Sequence, residues 1–171
     1  MRAYAYNYLM ECYVDSYTNG GSSKLGLSIY TKYSINNPPV ARSSAKETYD
    51  SILTWAKDGV KLLKDAQVGY TKDDPTDIDL GVANFVLARA ALCAGDWATV
   101  ISACDEILAA YPTLMNESQY VGVNEAPSGA DYVAYFAEHK GFTCLQQNPE
   151  VILGYPYNNK AYGSASYWTN N

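Results

Sequence analysis

The run from Leu87 to Ile101 restricts this chain more than any other stretch: Leu87-Ala88-Arg89-Ala90-Ala91-Leu92-Cys93-Ala94-Gly95-Asp96-Trp97-Ala98-Thr99-Val100-Ile101. An almost wholly apolar segment meets a Gly-Asp pair, and an apolar period resumes at once from a tryptophan. Glycine supplies the left-handed residue that ends a helix, and aspartate is a preferred residue to begin one. The second period continues through Ala103, Cys104, Ile107 and Leu108 until Tyr111-Pro112 stops it. The segment therefore reads as two helices joined by a two-residue turn, and most folds built on a sheet are excluded here.

Leu87 and Ala88 in the first helix and a closing proline are where a tetratricopeptide-type hairpin has them. Such a hairpin is a scaffold without chemistry of its own, so function is to be sought in what decorates it. The chain has 171 residues, 48% of them apolar, which is enough for a real core. Twelve basic against eighteen acidic side chains give a formal charge of −6. With no basic face, nucleic acid is not an expected partner. No apolar run is long enough to span a bilayer. The first residues carry no apolar signal region, and neither end closes an element; both read as the edges of an excerpt from a longer protein.

The rest of the chain divides by period. Tyr6, Leu9, Met10, Tyr13 and Tyr17 recur at helical spacing, which predicts a helix from Arg2 to Tyr17 with one broad aromatic face. From Asn19 to Arg42 there is no helical period. Leu25 to Tyr30 suits a short strand, and Asn36-Asn37-Pro38-Pro39 suits no regular element. A connection this long on a helical scaffold commonly carries function. Ser44 and Glu47 form a capping-box pattern, followed by the stripe Tyr49, Ile52, Leu53, Ala56, Val60 and Leu63. After a polar connector around Pro75, Asp77 or Asp79 is placed to cap a third helix reaching Cys93. That helix is so apolar that Arg89, if buried, needs a carboxylate or carbonyl partner. Asp131 to Lys140 suits a short helix, and Asn148 to Tyr155 a turn into a short strand. The expected architecture is mostly α. Tetratricopeptide-like helical hairpins at about 2–66 and 79–111 are joined by long irregular loops, in a single domain or fragment over 1–171. Residues 112–171 form a loop-rich region with a short strand or hairpin near the C-terminus.

Cys12, Cys93, Cys104 and Cys144 stand far apart with no C-x-x-C pair, and His139 is the lone histidine, so no metal site and no cofactor is expected. Buried small side chains explain Cys93 and Cys104 better than a disulfide does. No nucleophile accompanies His139, Asp73-Asp74 lie in a solvated connector, and Gly20-Gly21 lacks the lysine of a phosphate loop. The chain is accordingly not read as an enzyme. Its seventeen tyrosines are the unusual number. Sugars are recognised by flat aromatic faces against C–H surfaces, with amides and carboxylates for hydroxyls. The densest such supply is Tyr157, Asn158, Asn159, Tyr162 and Trp168, where aromatics and asparagines alternate without helical period. The loop before Ser44 offers a second set, with Tyr33 and Asn36 foremost beside Tyr30, Lys32 and Asn37. The bland alternative is that these aromatics pack on the helices. The rival function is a protein-interaction scaffold, with no sugar site, whose aromatic helix faces bind a peptide or a partner helix.

Four landmarks occur in one order. Arg2-Ala3-Tyr4-Ala5-Tyr6-Asn7-Tyr8-Leu9 resembles the Arg-Ala-x-x-Tyr-x-Tyr-Leu helix of the SusD/RagB outer-membrane lipoproteins. Arg42-Ser43-Ser44 followed by Glu47, Tyr49, Asp50 and Ile52 resembles the opening of that family's next helix. Ala88 to Trp97 is similar to its Leu-Ala-Arg-x-Tyr-Leu-x-x-Gly-Asp-Trp motif, with Ala91 where tyrosine is frequent, and Asn148-Pro149-Glu150-Val151-Ile152 to its Asn-x-Glu-Val-Ile strand. The resemblance implies a non-catalytic glycan-binding protein of Bacteroidetes, lipid-anchored on the cell-surface face of the outer membrane. It would capture oligosaccharides and hand them to a SusC-like TonB-dependent transporter. The anchor, the signal peptide and the large C-terminal part of a family member, which supplies much of the sugar site, have no counterpart in these residues, so membrane association would come through that anchor alone.

Overall fold

The computed structural model describes residues 1–32, 35–71, 76–114 and 150–154. Among the described residues four α-helices carry the fold: α1, Arg2–Tyr13; α2, Ala45–Asp65; α3, Leu80–Ala94; and α4, Trp97–Ala110. The residues group into two compact units, one of 1–69 with 80–108 and one of 70–79 with 109–171.

In the first unit α2 is the central helix. The stripe read from the sequence is the one that turns inward, with Tyr49, Ile52, Ala56 and Val60 buried. Its start is fixed by the full capping box. The Ser44 hydroxyl accepts from Glu47 N–H at 3.2 Å, and the Glu47 carboxylate accepts from Ser44 N–H at 2.9 Å. Its end uses an unusual residue. Gln67 takes φ +56° so that Val68 N–H reaches Leu63 O at 2.9 Å and Gln67 N–H reaches Lys64 O at 3.0 Å. These two bonds satisfy carbonyls that the helix would otherwise leave open. Lys46 with Asp50 (2.7 Å) and Lys61 with Asp65 (2.8 Å) pair one turn apart on the solvent side.

The predicted Gly-Asp turn forms between α3 and α4. Gly95 adopts φ +75°, Asp96 N–H bonds Ala91 O at 2.9 Å, and Gly95 N–H bonds Leu92 O at 3.2 Å. Asp96 then caps α4, accepting from the Thr99 N–H at 3.2 Å and its hydroxyl at 2.6 Å. α3 buries Val82, Leu87, Ala88, Ala90 and Ala91, small enough to bring neighbouring backbones close. It is not enclosed all round, because Phe85 and Leu92 face solvent. Arg89 shares that outer face, at the rim rather than in the core. Without being buried it still has a carboxylate partner, Glu11 of α1, with Nε at 3.0 Å and Nη2 at 2.6 Å.

Two sequence expectations are corrected in α1. The helix ends at Tyr13, with Val14 extended, and Tyr17 belongs to a separate 3-10 turn, Tyr17–Asn19. Aspartate and serine at 15 and 16 offer the backbone competing hydrogen bonds, which shortens the helix. The buried line is Ala3, Asn7 and Met10, whereas Leu9 and Tyr13 are exposed. The tyrosines that pack inward do so edge-on: Tyr6 against Trp55, centroids 5.1 Å apart, and Tyr17 against Tyr49 at 5.0 Å.

In the second unit the buried Asp79 carboxylate accepts from Thr71 N–H at 2.5 Å and from the Tyr111 hydroxyl at 3.3 Å. Burial and that carboxylate push the Tyr111 phenol up to about 12. Residues 150–154 are a turn followed by a bend, so the strand expected there is not seen among them. The remainder of that segment, and the helix expected over 131–140, lie outside the described residues.

Candidate functional site

The described residues between α1 and α2 form a loop that is closed at its base. Its base is an antiparallel bridge between Leu25 and Ser44, reinforced by Gly26 N–H to Ser43 O at 2.7 Å and Ser43 N–H to Leu27 O at 3.0 Å. The Arg42 side chain closes the same base, donating to Gly26 O at 2.7 Å and Leu25 O at 3.0 Å. Gly26 lies against the first turn of α2: a Cβ there would come within 2.8 Å of Ser44 O and also strike the Thr48 side chain. That closeness lets the Thr48 hydroxyl accept from Leu27 N–H at 3.2 Å while donating to Ser44 O at 2.8 Å. The short strand expected over Leu25–Tyr30 is thus a single bridge, because most of this backbone bonds to side chains rather than to a second strand.

Further out, side chains again hold backbone. Ser28 Oγ donates to Val40 O at 2.7 Å, Val40 N–H donates to the Tyr30 hydroxyl at 3.3 Å, and Asn37 Nδ2 donates to Lys32 O at 3.2 Å. The outer part presents Tyr30, Lys32, Ile35, Asn36 and Asn37 to solvent, with Ile35 87% exposed. An aromatic face, an ammonium and two amides on an ordered loop can bind a polyhydroxylated ligand by stacking and paired hydrogen bonds. They cannot by themselves break a covalent bond.

Of the residues singled out from sequence, Asn36 lies on this outer part beside Asn37. Tyr33, Tyr157, Asn158, Asn159, Tyr162 and Trp168 lie outside the described residues. Sequence reasoning missed the residues on α1 and α2 that hold the loop. Arg2 Nη2 donates to Thr31 O at 2.8 Å, the Tyr6 hydroxyl bonds two loop backbone groups, and Trp55 packs against both side chains. The available signal was a tyrosine on an apolar face, whose hydroxyl must find a partner.

A shallow groove of about 330 Å³ lies among α2, α3 and α4 and is lined by Lys57, Asn84, Leu87, Thr99 and Glu106 among others. Its two charged lining groups, Lys57 and Glu106, each have a partner just outside the lining. Lys57 faces Asp96 at 3.6 Å, and Glu106 accepts from Lys64 at 2.7 Å and from Asn84 at 3.0 Å. These contacts hold the Glu106 carboxyl below its ordinary range, chiefly through the Lys64 ammonium. The groove is therefore a self-satisfied seam between helices. Among the described residues no cluster of His, Cys, Asp or Glu is arranged for a metal ion, and no helix is long and apolar enough to cross a membrane. Cys12, Cys93 and Cys104 are free thiols.

No family model and no curated protein matches the chain. Solved structures do. The chain is similar to the SusD-like carbohydrate binding protein from Bacteroides vulgatus ATCC 8482, with TM-score 0.64 and 24% identity over 92% of this chain and 29% of that one. It is also similar to a SusD superfamily protein from Bacteroides thetaiotaomicron VPI-5482, with TM-score 0.54 and 17% identity over 82% of this chain and 31% of that one. The chain thus has the helical fold of part of the SusD-like structures and spans under a third of the length of either.

Proposed function

We propose that this chain is the helical portion of a SusD-type protein that binds oligosaccharides without cleaving them and presents them to a TonB-dependent outer-membrane transporter. The observation that carries the reading is an ordered loop, tipped with an aromatic ring and amides, on a fold shared with a carbohydrate binding protein. In this reading Tyr33 and Asn36 on the loop, with Tyr157, Asn158, Asn159, Tyr162 and Trp168 of the C-terminal segment, supply the stacking faces and hydroxyl partners. Anchorage at the cell-surface face of the outer membrane and docking to a SusC-like barrel belong to the same proposal.

Affinity electrophoresis of the purified chain through gels containing a panel of polysaccharides tests it. The expected result is retardation by at least one polysaccharide, weakened in a Tyr162→Ala, Trp168→Ala double variant and in Asn36→Ala. Unchanged mobility in every gel overturns sugar binding by this chain. A second reading, the protein-interaction scaffold, is favoured by one observation: α1 exposes Tyr4, Tyr8 and Tyr13 along its length. That outcome would leave it standing.

A further inference from the structure

We propose that Tyr6 is a positioning residue for the glycan contact: its hydroxyl, on α1, sets the shape in which the loop's outer part meets a sugar. The inference rests on the reading that the loop contacts the ligand. The hydroxyl works in both directions, donating to Ser28 O at 3.2 Å and accepting from Tyr30 N–H at 2.8 Å. It thereby fixes two backbone groups on either side of Ile29, outward of the loop's base at Leu25 and Ser44. The ring has little freedom to move the hydroxyl, because it packs edge-on to Trp55 with an interplanar angle of 65°. The Arg2 guanidinium lies 5.2 Å from the Trp55 ring centroid and holds Thr31 O at 2.8 Å.

Three loop backbone groups, Ser28 C=O, Tyr30 N–H and Thr31 C=O, are therefore held by two α1 side chains one turn apart. The hold is on backbone, so it leaves the face of the Tyr30 ring exposed. The Tyr30 hydroxyl carries the constraint across the loop by accepting from Val40 N–H. A loop ordered before the ligand arrives loses less conformational freedom on binding, and that difference appears as affinity.

Tyr6→Phe removes the hydroxyl and keeps the ring against Trp55. Two readouts are made on the whole chain: amide hydrogen exchange by NMR, and retardation by whichever polysaccharide the wild type binds. The expected result is Tyr30 amide exchange faster by about tenfold, with α2 and α3 amides unchanged, and an affinity lower by about three- to tenfold. Tyr17→Phe, a hydroxyl deletion in the edge-on pair with Tyr49, is expected to change neither. Unaltered Tyr30 exchange in Tyr6→Phe overturns the inference. So does a freed Tyr30 amide with wild-type retardation, which would make the bond merely structural. A wild-type chain that no polysaccharide retards overturns the glycan reading, and this inference with it, before any variant is made.

Discussion

Glu11 and Arg89 are separated by most of the first unit's sequence and meet as a two-pronged ion pair that ties α1 to α3. The pair holds the Glu11 carboxyl below its ordinary value of 4.5, first through the Arg89 hydrogen bond and then through its charge. A carboxyl lowered by folding contributes stability that is fully present above its unfolded pKa and is lost as pH falls through the folded one. Since the side chains are 28% and 44% exposed, solvent screening keeps the contribution to about 0.5–1 kcal/mol. Glu11→Gln is therefore expected to lower urea-measured stability by about 0.5 kcal/mol near pH 7 and by almost nothing near pH 3. Equal losses at both pH values would show that the charge is not what matters. Arg89 was legible as the odd residue of an apolar helix, though its need for a carboxylate or carbonyl was conditional on a burial that its place at the rim does not bring. Glu11 as the partner was not, because hydrophobic period locates faces and says nothing of which distant faces meet. Asn7 shows the same limit: it reads as polar, yet it is buried on the inward line of α1 and donates to Glu11 at 2.6 Å.

Helix ends follow local chemistry, and the signals that fixed α2 and α4 lay within a few residues of each terminus. Ser44→Ala removes the hydroxyl half of the capping box and is expected to cost about 1 kcal/mol. Two left-handed residues make opposite predictions. Gly95→Ala places a Cβ at φ +75° and should destabilise by about 1 kcal/mol, whereas Gln67→Gly relieves the same strain at φ +56° and should stabilise by up to about 1 kcal/mol. Thermal unfolding of the three variants checks all three signs, and a destabilised Gln67→Gly would show that the side chain matters more than its backbone. The end of α1 was misread because Tyr17 keeps helical spacing with Tyr13. The ring keeps that spacing for another purpose, packing on Tyr49 of α2 from a separate turn. The loop was recognised by its lack of period, but its order was illegible: side chains far away in sequence, Arg2, Tyr6 and Thr48, hold its backbone.

At the scale of the molecule, burial is uneven. Ile52 on α2 is fully buried, whereas Trp97, Ile101 and Leu108 form an exposed apolar line along α4, each at least 60% exposed. Ile52→Ala is expected to cost about 2–5 kcal/mol by leaving a cavity, and Ile101→Ser less than about 0.5 kcal/mol, both by urea denaturation. A large loss for Ile101→Ser would mean that the α4 face is covered in solution. The hairpin pattern at Leu87–Ile101 announced the fold because its turn, cap and period agree with one another. Composition pointed to aromatics and amides in the loop, but not to the fastening that holds the backbone at Tyr30 and Lys32.

Sugar contact by the loop's outer part, held on the helices, is the heart of the proposed function. An NMR titration of the whole chain with an oligosaccharide from whichever polysaccharide retards it tests that claim most directly. Saturating shifts are expected to concentrate at residues 28–40 and within 155–171, with the inward faces of α2 and α3 undisturbed. Shifts confined to α4 or to the exposed tyrosines of α1, or none at saturating sugar, would contradict it.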